Sequence, residues 1–165
     1  MIIRPATIEE IAEWWESEIA TSPNDYSLIV WKARFIEENA NGKRKTFFAF
    51  DESGTVIGQV TLLFESKDKL MTGDGKAELI KLEVAEAHRG KGIATRIYLT
   101  AKSYARDQGI DILTIGVEPS EIRNMQIYFH WGFTTFLQCI TETFPSVNET
   151  DRGETVTVLC YSQKI

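Results

Sequence analysis

Apolar positions along this chain repeat with two different periods, and each change of period marks a new element. Residues 2–4 read as a short strand. Thr7 then opens a helix: Thr7-Ile8-Glu9-Glu10 is a capping box, whose hydroxyl and carboxylate each satisfy a free backbone N–H. Ile8, Ile11, Trp15 and Ile19 recur at helical spacing behind it. Ser22-Pro23-Asn24 breaks this helix, and Leu28, Trp31 and Phe35 carry a second as far as Asn41-Gly42. Residues 46–50 and 55–64 predict strands joined by a turn at Asp51-Glu52-Ser53-Gly54, with a polar stretch over 65–76 after them.

Residues 77–84 form the next expected strand, with Leu79, Ile80, Leu82 and Val84 as its apolar members. Simple alternation puts Glu78 on one face with Ile80, Leu82 and Val84, and Glu83 on the other. A glycine-containing basic segment follows directly. A helix with Ile93, Ile97, Ala101 and Tyr104 along one side then runs to Gly109. Residues 110–117 are almost continuously apolar, as in a buried parallel strand. Pro119 and Ser120 start a helix carrying Ile122, Met125 and Phe129, which Gly132 ends, and residues 133–140 and 155–161 are two last strands around a polar loop. The order β-α-α-β-β-β-α-β-α-β-β predicts an α/β fold, a mixed central sheet flanked by helices, with residues 1–165 forming one domain.

Composition narrows the function. The 165 residues suffice for one well-filled core, and 43% apolar with 25% charged residues is ordinary for a soluble protein. No apolar run approaches the ~20 residues of a membrane span, and Met1-Ile2-Ile3-Arg4-Pro5 lacks the stages of a signal peptide, so the cytoplasm is the expected compartment and no membrane partner is expected. Cys139 and Cys160 lack metal-ligand spacing and read as reduced packing residues, so no metal is expected. A net charge of −6 argues against nucleic acid, whose binding rests on Lys and Arg, and favours a cationic partner.

Against that acidic background, residues 88–96 are basic. Arg89-Gly90-Lys91-Gly92-Ile93-Ala94 lies between a strand and a helix, where first-turn N–H groups are unpaired and the helix dipole is positive. Glycines let such a loop close around a ligand as a nest of N–H donors, which suits a pyrophosphate. Arg89 and Lys91 add charge, and Thr95 a hydroxyl. A Walker A loop needs Lys then Ser or Thr after its second glycine, and a dinucleotide fingerprint needs a third glycine where Thr95 stands. The pattern Arg/Gln-x-x-Gly-x-Gly/Ala is met by Arg89, Gly92 and Ala94.

At these residues the chain resembles the GNAT superfamily of N-acetyltransferases, whose acyl-CoA pyrophosphate loop has this form. Tyr128-Phe129-His130-Trp131-Gly132-Phe133 is similar to the family's Tyr-x-x-x-Gly-Phe, and the element order agrees from first strand to last. Glu86 replaces a common proline. Glu121 stands where the family often has a cofactor-contacting asparagine, with Asn124 three residues on. The resemblance implies acetyl-CoA as donor, with cofactor contacts from Leu82, Glu83, Val84, Arg89, Gly90, Lys91, Gly92, Ile93, Ala94, Thr95 and Asn124. It implies Tyr128 as the group that protonates the leaving thiolate, and Glu78 as the base, with Glu83 or water as rivals.

The acceptor is expected to be a cationic small-molecule amine or a basic peptide. The first helix carries Glu9, Glu10, Glu13, Glu16 and Glu18, with Asp25 beyond it, and the final loop carries Glu142, Glu149, Asp151 and Glu154. Trp14, Trp15 and Trp31 either wall that site or pack in the core. A non-catalytic acyl-CoA sensor is the alternative function, and the choice between monomer and homodimer stays open.

Overall fold

Thr7 caps the first helix as its sequence requires. Its hydroxyl accepts from the Glu10 N–H at 3.2 Å, and the Glu10 carboxylate accepts from the Thr7 N–H at 2.9 Å. Both belong to a computed structural model, which describes residues 1–143 and 155–165. The elements are β1 (Ile2–Pro5), α1 (Ile8–Thr21), α2 (Ser27–Ala40), β2 (Arg44–Phe50), β3 (Val56–Leu63), β4 (Lys76–Val84), α3 (Ile93–Asp107), β5 (Ile112–Val117), α4 (Ile122–His130), β6 (Thr135–Thr143) and β7 (Thr155–Lys164). This is the order read from the sequence.

The ends differ where local hydrogen bonds compete with the pattern. β5 starts at Ile112 rather than 110, because the Ile110 N–H closes α3 by donating to Ala105 O at 3.0 Å. α4 starts at Ile122 rather than at Pro119, with Glu121 as its N-cap. Thr134 donates back to Gly132 O at 2.9 Å, which holds the chain in a turn until β6 begins at Thr135.

The seven strands form one sheet in the order β1-β2-β3-β4-β5-β7-β6, antiparallel except for the β4–β5 pair. Phe47, Val60, Leu62, Ala77, Leu79 and Leu113 bury against Ile93, Ile97 and Ala101 of α3. On the other face Phe48 and Phe50 bury against Ile11 and Trp15 of α1 and Phe35 of α2. A Cβ at Gly58 would sit 2.8 Å from Ile97 Cδ1 and 3.0 Å from Glu83 O, so the absence of a side chain lets α3 lie directly on β3. Trp15 is core, 2% exposed, while Trp14 and Trp31 are half-buried beside it. Cys160 is buried but Cys139 is exposed, so only one of the two cysteines is the packing residue expected. Among the described residues no helix is long and apolar enough to cross a membrane.

One irregularity in β4 corrects the reading of its faces. Thr61 pairs with Ile80 and Gln59 with Glu83, so two residues of β4, Lys81 and Leu82, face one of β3. Lys81 takes a φ of +56°, in the left-handed region. The extra residue reverses the parity of the strand. Ile80 packs with the α1/α2 cluster, whereas Leu82 and Val84 pack with the α3 cluster. Glu83 therefore lies on the face of Glu78 and Ile80, not opposite them: its neighbour Gln59 pairs with Phe48, just as Ile80's neighbour Thr61 pairs with Thr46.

Candidate active site

The parallel pairing of β4 with β5 stops at Leu79↔Ile115, although β4 runs on to Val84 and β5 to Val117. β5 instead stays with β7 through Val117↔Leu159. Gly116 permits that close approach, since a Cβ there would lie 2.7 Å from Val158 Cγ1. Beyond Leu79 the two parallel strands part, and a cavity of about 230 Å³ opens between them. Glu78, Leu82 and Tyr128 all line it. The two residues read from sequence as catalytic and one read as cofactor-binding thus line a single cleft.

Tyr128 reaches the cleft from α4, with its ring centroid 6.0 Å from Trp131 and 6.4 Å from Phe133. Burial, reinforced by the Glu121 carboxylate, pushes its phenol up to about 12, so the hydroxyl stays a donor at neutral pH. Glu121 also lines the cleft. Its carboxylate accepts from Asn124 Nδ2 at 2.7 Å and from the Glu118 N–H at 3.3 Å. Asn124 is thereby tied to the N-terminus of α4 and is not among the residues lining the cleft.

The far end of β4 leads into the glycine loop. Val84 ends the strand, Ala85 leads into a turn over Glu86–His88, and Arg89 Nε donates to Val84 O at 2.9 Å. Lys91 Nζ donates to Ala87 O at 3.0 Å, which folds the loop onto itself. Gly90 and Gly92 have φ of +75° and +74°, and space beside both is open. Gly92 is the N-cap of α3, and Arg96 N makes the first helical bond, to Gly92 O at 3.1 Å. The N–H groups of Ile93, Ala94 and Thr95 lie ahead of that bond, at the positive end of the dipole. Ile93 anchors the turn in the core, 6% exposed, while Thr95 and both glycines face solvent. Local geometry here suits an anion.

A second, larger cavity of about 750 Å³ lies on the α1 side of β4. Glu10, Glu13, Trp14, Ser17 and Glu18 of α1 face Gln59 of β3 and Glu83, Val84 and Arg89 across it. The acidic helix read from sequence is therefore divided. Glu16 is paired with Lys32 at 2.7 Å, Asp25 accepts from the Ser27 N–H at 3.0 Å and Glu9 does not line the cavity, leaving Glu10, Glu13 and Glu18 there. Arg4 holds the Glu10 carboxyl below its ordinary value by a direct hydrogen bond. Of the acidic residues in the final loop, Glu149, Asp151 and Glu154 lie outside the described residues, and Glu142 falls within β6.

Lys81 and Gln59 went unnoticed in the sequence. Lys81 lines the first cavity, and its ammonium pairs with Glu83 at 2.8 Å, 5.3 Å from the Trp14 ring centroid and 5.5 Å from that of Trp15. Gln59, 2% exposed, donates from Nε2 to the other Glu83 oxygen at 2.9 Å. Lys81 stands as a polar residue between Leu79-Ile80 and Leu82, and the sequence carries no further mark of the bulge.

Comparison with known proteins shows the family and the fold. The model of the Acetyltransferase (GNAT) family matches residues 7–133. N-acetyltransferase 8F1 of Rattus norvegicus is 32% identical over 119 residues, which are 72% of this chain and 50% of that protein. The chain thus spans about half the length of the curated relatives it matches. A ribosomal-protein-alanine N-acetyltransferase from Brucella melitensis has the same fold, with a TM-score of 0.72 over 100% of both chains at 17% identity. A Salmonella typhimurium structure described with its cofactor acetyl-CoA covers 99% of this chain and is covered to 93%, with a TM-score of 0.69 at 18% identity.

Proposed function

This chain belongs to the GNAT family of acetyltransferases, and from that premise we propose that it transfers the acetyl group of acetyl-CoA to a primary amine on a cationic small molecule or basic peptide. The observation that carries the reading is the course of β4. One strand leads from the cleft holding Glu78 and Tyr128 to the N–H nest at α3, so one extended ligand can span both. Its pyrophosphate belongs on Gly90–Thr95, with Arg89 and Lys91 adding charge. Its pantetheine arm belongs along Leu82, Glu83 and Val84, where β4 has left β5 and main-chain groups can pair with the arm's amides.

The chemistry then needs three things from the chain. Glu78 removes a proton from the acceptor ammonium, directly or through water. The neutral amine attacks the thioester carbon, whose oxygen takes hydrogen bonds from the β4 main chain as it gains charge. A C–N bond forms as the C–S bond breaks, and the attacking nitrogen gives its second proton to the departing sulfur, so the products are the amide and CoA thiol. Tyr128, with its phenol near 12, is a weaker acid than a thiol of about 8.5, so it serves by donating a hydrogen bond to the departing sulfur. Holding both reactants together supplies most of the acceleration. Glu13 and Glu18 draw the cationic acceptor toward this side of the sheet.

Titration calorimetry on the whole chain tests the cofactor half. Acetyl-CoA and CoA should bind with similar affinity through the shared pyrophosphate, and ATP and NADH should compete poorly. Saturable ATP binding with no heat from acetyl-CoA would overturn the reading.

A further inference from the structure

We propose that Lys81 is itself an acetyl acceptor, modified in cis by the acetyl-CoA that the cleft binds. The proposal rests on the transfer reading above and adds a second amine substrate built into the chain. Lys81 sits at the β4 bulge, where the extra residue reverses which side chains face α1 and which face α3. It lines the cleft assigned to the thioester, and its partner Glu83 lines the cavity assigned to the acceptor. Its side chain is 30% exposed, and a left-handed φ of +56° at a residue other than glycine is maintained there.

What surrounds its ammonium is what a transferase must provide for any amine substrate. The faces of Trp14 and Trp15 attract the cation at 5.3 and 5.5 Å, and the Glu83 carboxylate stands 2.8 Å away, oriented from behind by Gln59. A carboxylate hydrogen-bonded to an ammonium is a base already in reach of its proton.

The step balances without any other reactant. Glu83 takes one proton from the Lys81 ammonium, and the freed Nζ pair attacks the thioester carbon. The C–N bond forms as the C–S bond breaks, and the second proton on nitrogen passes to the thiolate, giving Nε-acetyl-Lys81 and CoA thiol. Acetylation removes the charge that pairs with Glu83, and so leaves that carboxylate uncompensated at the acceptor cavity.

The experiment incubates the whole chain with acetyl-CoA and no added amine, and maps acetyl groups by peptide mass spectrometry over time. Acetyl should accumulate on Lys81 faster than on the exposed Lys67 and Lys69. Its first-order rate should not depend on protein concentration. Glu83→Gln should slow it by about tenfold or more, the scale of a positioned base. Lys81→Arg should remove the site and leave acetyl-CoA binding intact. If Lys81 stays unmodified, or gains acetyl only at the pace of Lys67 and Lys69, the proposal is overturned. External amines acetylated while Lys81 is not would overturn it alone and leave the transfer reading standing. No acetylation of either, without acetyl-CoA binding, would overturn both.

Discussion

Gln59 Nε2 donates to the Glu83 carboxylate at 2.9 Å across β3 and β4, and so holds Glu83 on the same sheet face as Glu78. The two acids are nonetheless not equivalent. Glu83 is engaged by both Gln59 and Lys81, whereas Glu78 lies in the field of Arg44 and lines one cleft with Tyr128. Glu78→Gln should therefore lower turnover on an external amine by about 10²–10⁴-fold, with acetyl-CoA affinity unchanged. Glu83→Gln should lower it far less. Steady-state thiol release from the two variants decides between them, and the reverse ranking would make Glu83 the base.

Gly92→Asp separates cofactor binding from folding. At a φ of +74° a side chain costs about 1 kcal/mol, less for Asp than for most residues, and the space beside it is open. The fold should survive with a modest fall in melting temperature. Acetyl-CoA binding should vanish, because a carboxylate then points at the N–H groups meant for phosphate. Equal loss of both, read by calorimetry and thermal melting, would make the glycine structural.

Gly58→Ala probes the floor under α3. The added methyl meets Ile97 Cδ1 at 2.8 Å and the Glu83 carbonyl oxygen at 3.0 Å, and the backbone oxygen has little room to yield. A loss of about 1–3 kcal/mol is expected from the urea midpoint. Because the methyl presses on β4 beside the bulge, the rate of acetyl transfer should fall as well.

Tyr98 and Tyr128 set the alkaline behaviour. Burial raises both phenols to about 12, while an unfolded tyrosine ionises near 10. The unfolded chain thus loses these protons first as pH rises. Stability that is complete below about pH 10 should decline up to about pH 12. Denaturation midpoints for the whole chain and for Tyr128→Phe should converge across that window. Parallel curves would mean that Tyr128 ionises normally in the folded state.

The order of elements was legible because each rests on local chemistry: the Thr7–Glu10 box, the Asp51–Gly54 turn, and the 3.6-residue stripe of Ile93, Ile97 and Ala101. The Arg89–Thr95 loop was legible for the same reason, since a strand, a glycine pair and a helix start are contiguous. Lys81 was not. β4 is covered on both faces, so Leu79 and Ile80 are apolar in succession and the pattern carries no phase with which to detect an extra residue. Arg44 shows a related failure: 2% exposed, it is paired with Glu38 of α2 and stacked 4.3 Å from the Phe35 centroid. Those contacts cross two elements, and nothing within residues 43–46 announces them.

Acetyl transfer itself is tested by following CoA thiol release with acetyl-CoA and a panel of amines, comparing the unaltered chain with Tyr128→Phe. The panel should contain polyamines, amino sugars, and basic and acidic peptides. At least one cationic amine should give turnover well above the amine-free rate. Tyr128→Phe should cut that turnover by about 10–10²-fold, the scale of one hydrogen bond to a charged group, while leaving acetyl-CoA affinity nearly unchanged. Tight acetyl-CoA binding with no thiol release from any amine would contradict acetyl transfer and leave the chain an acyl-CoA sensor.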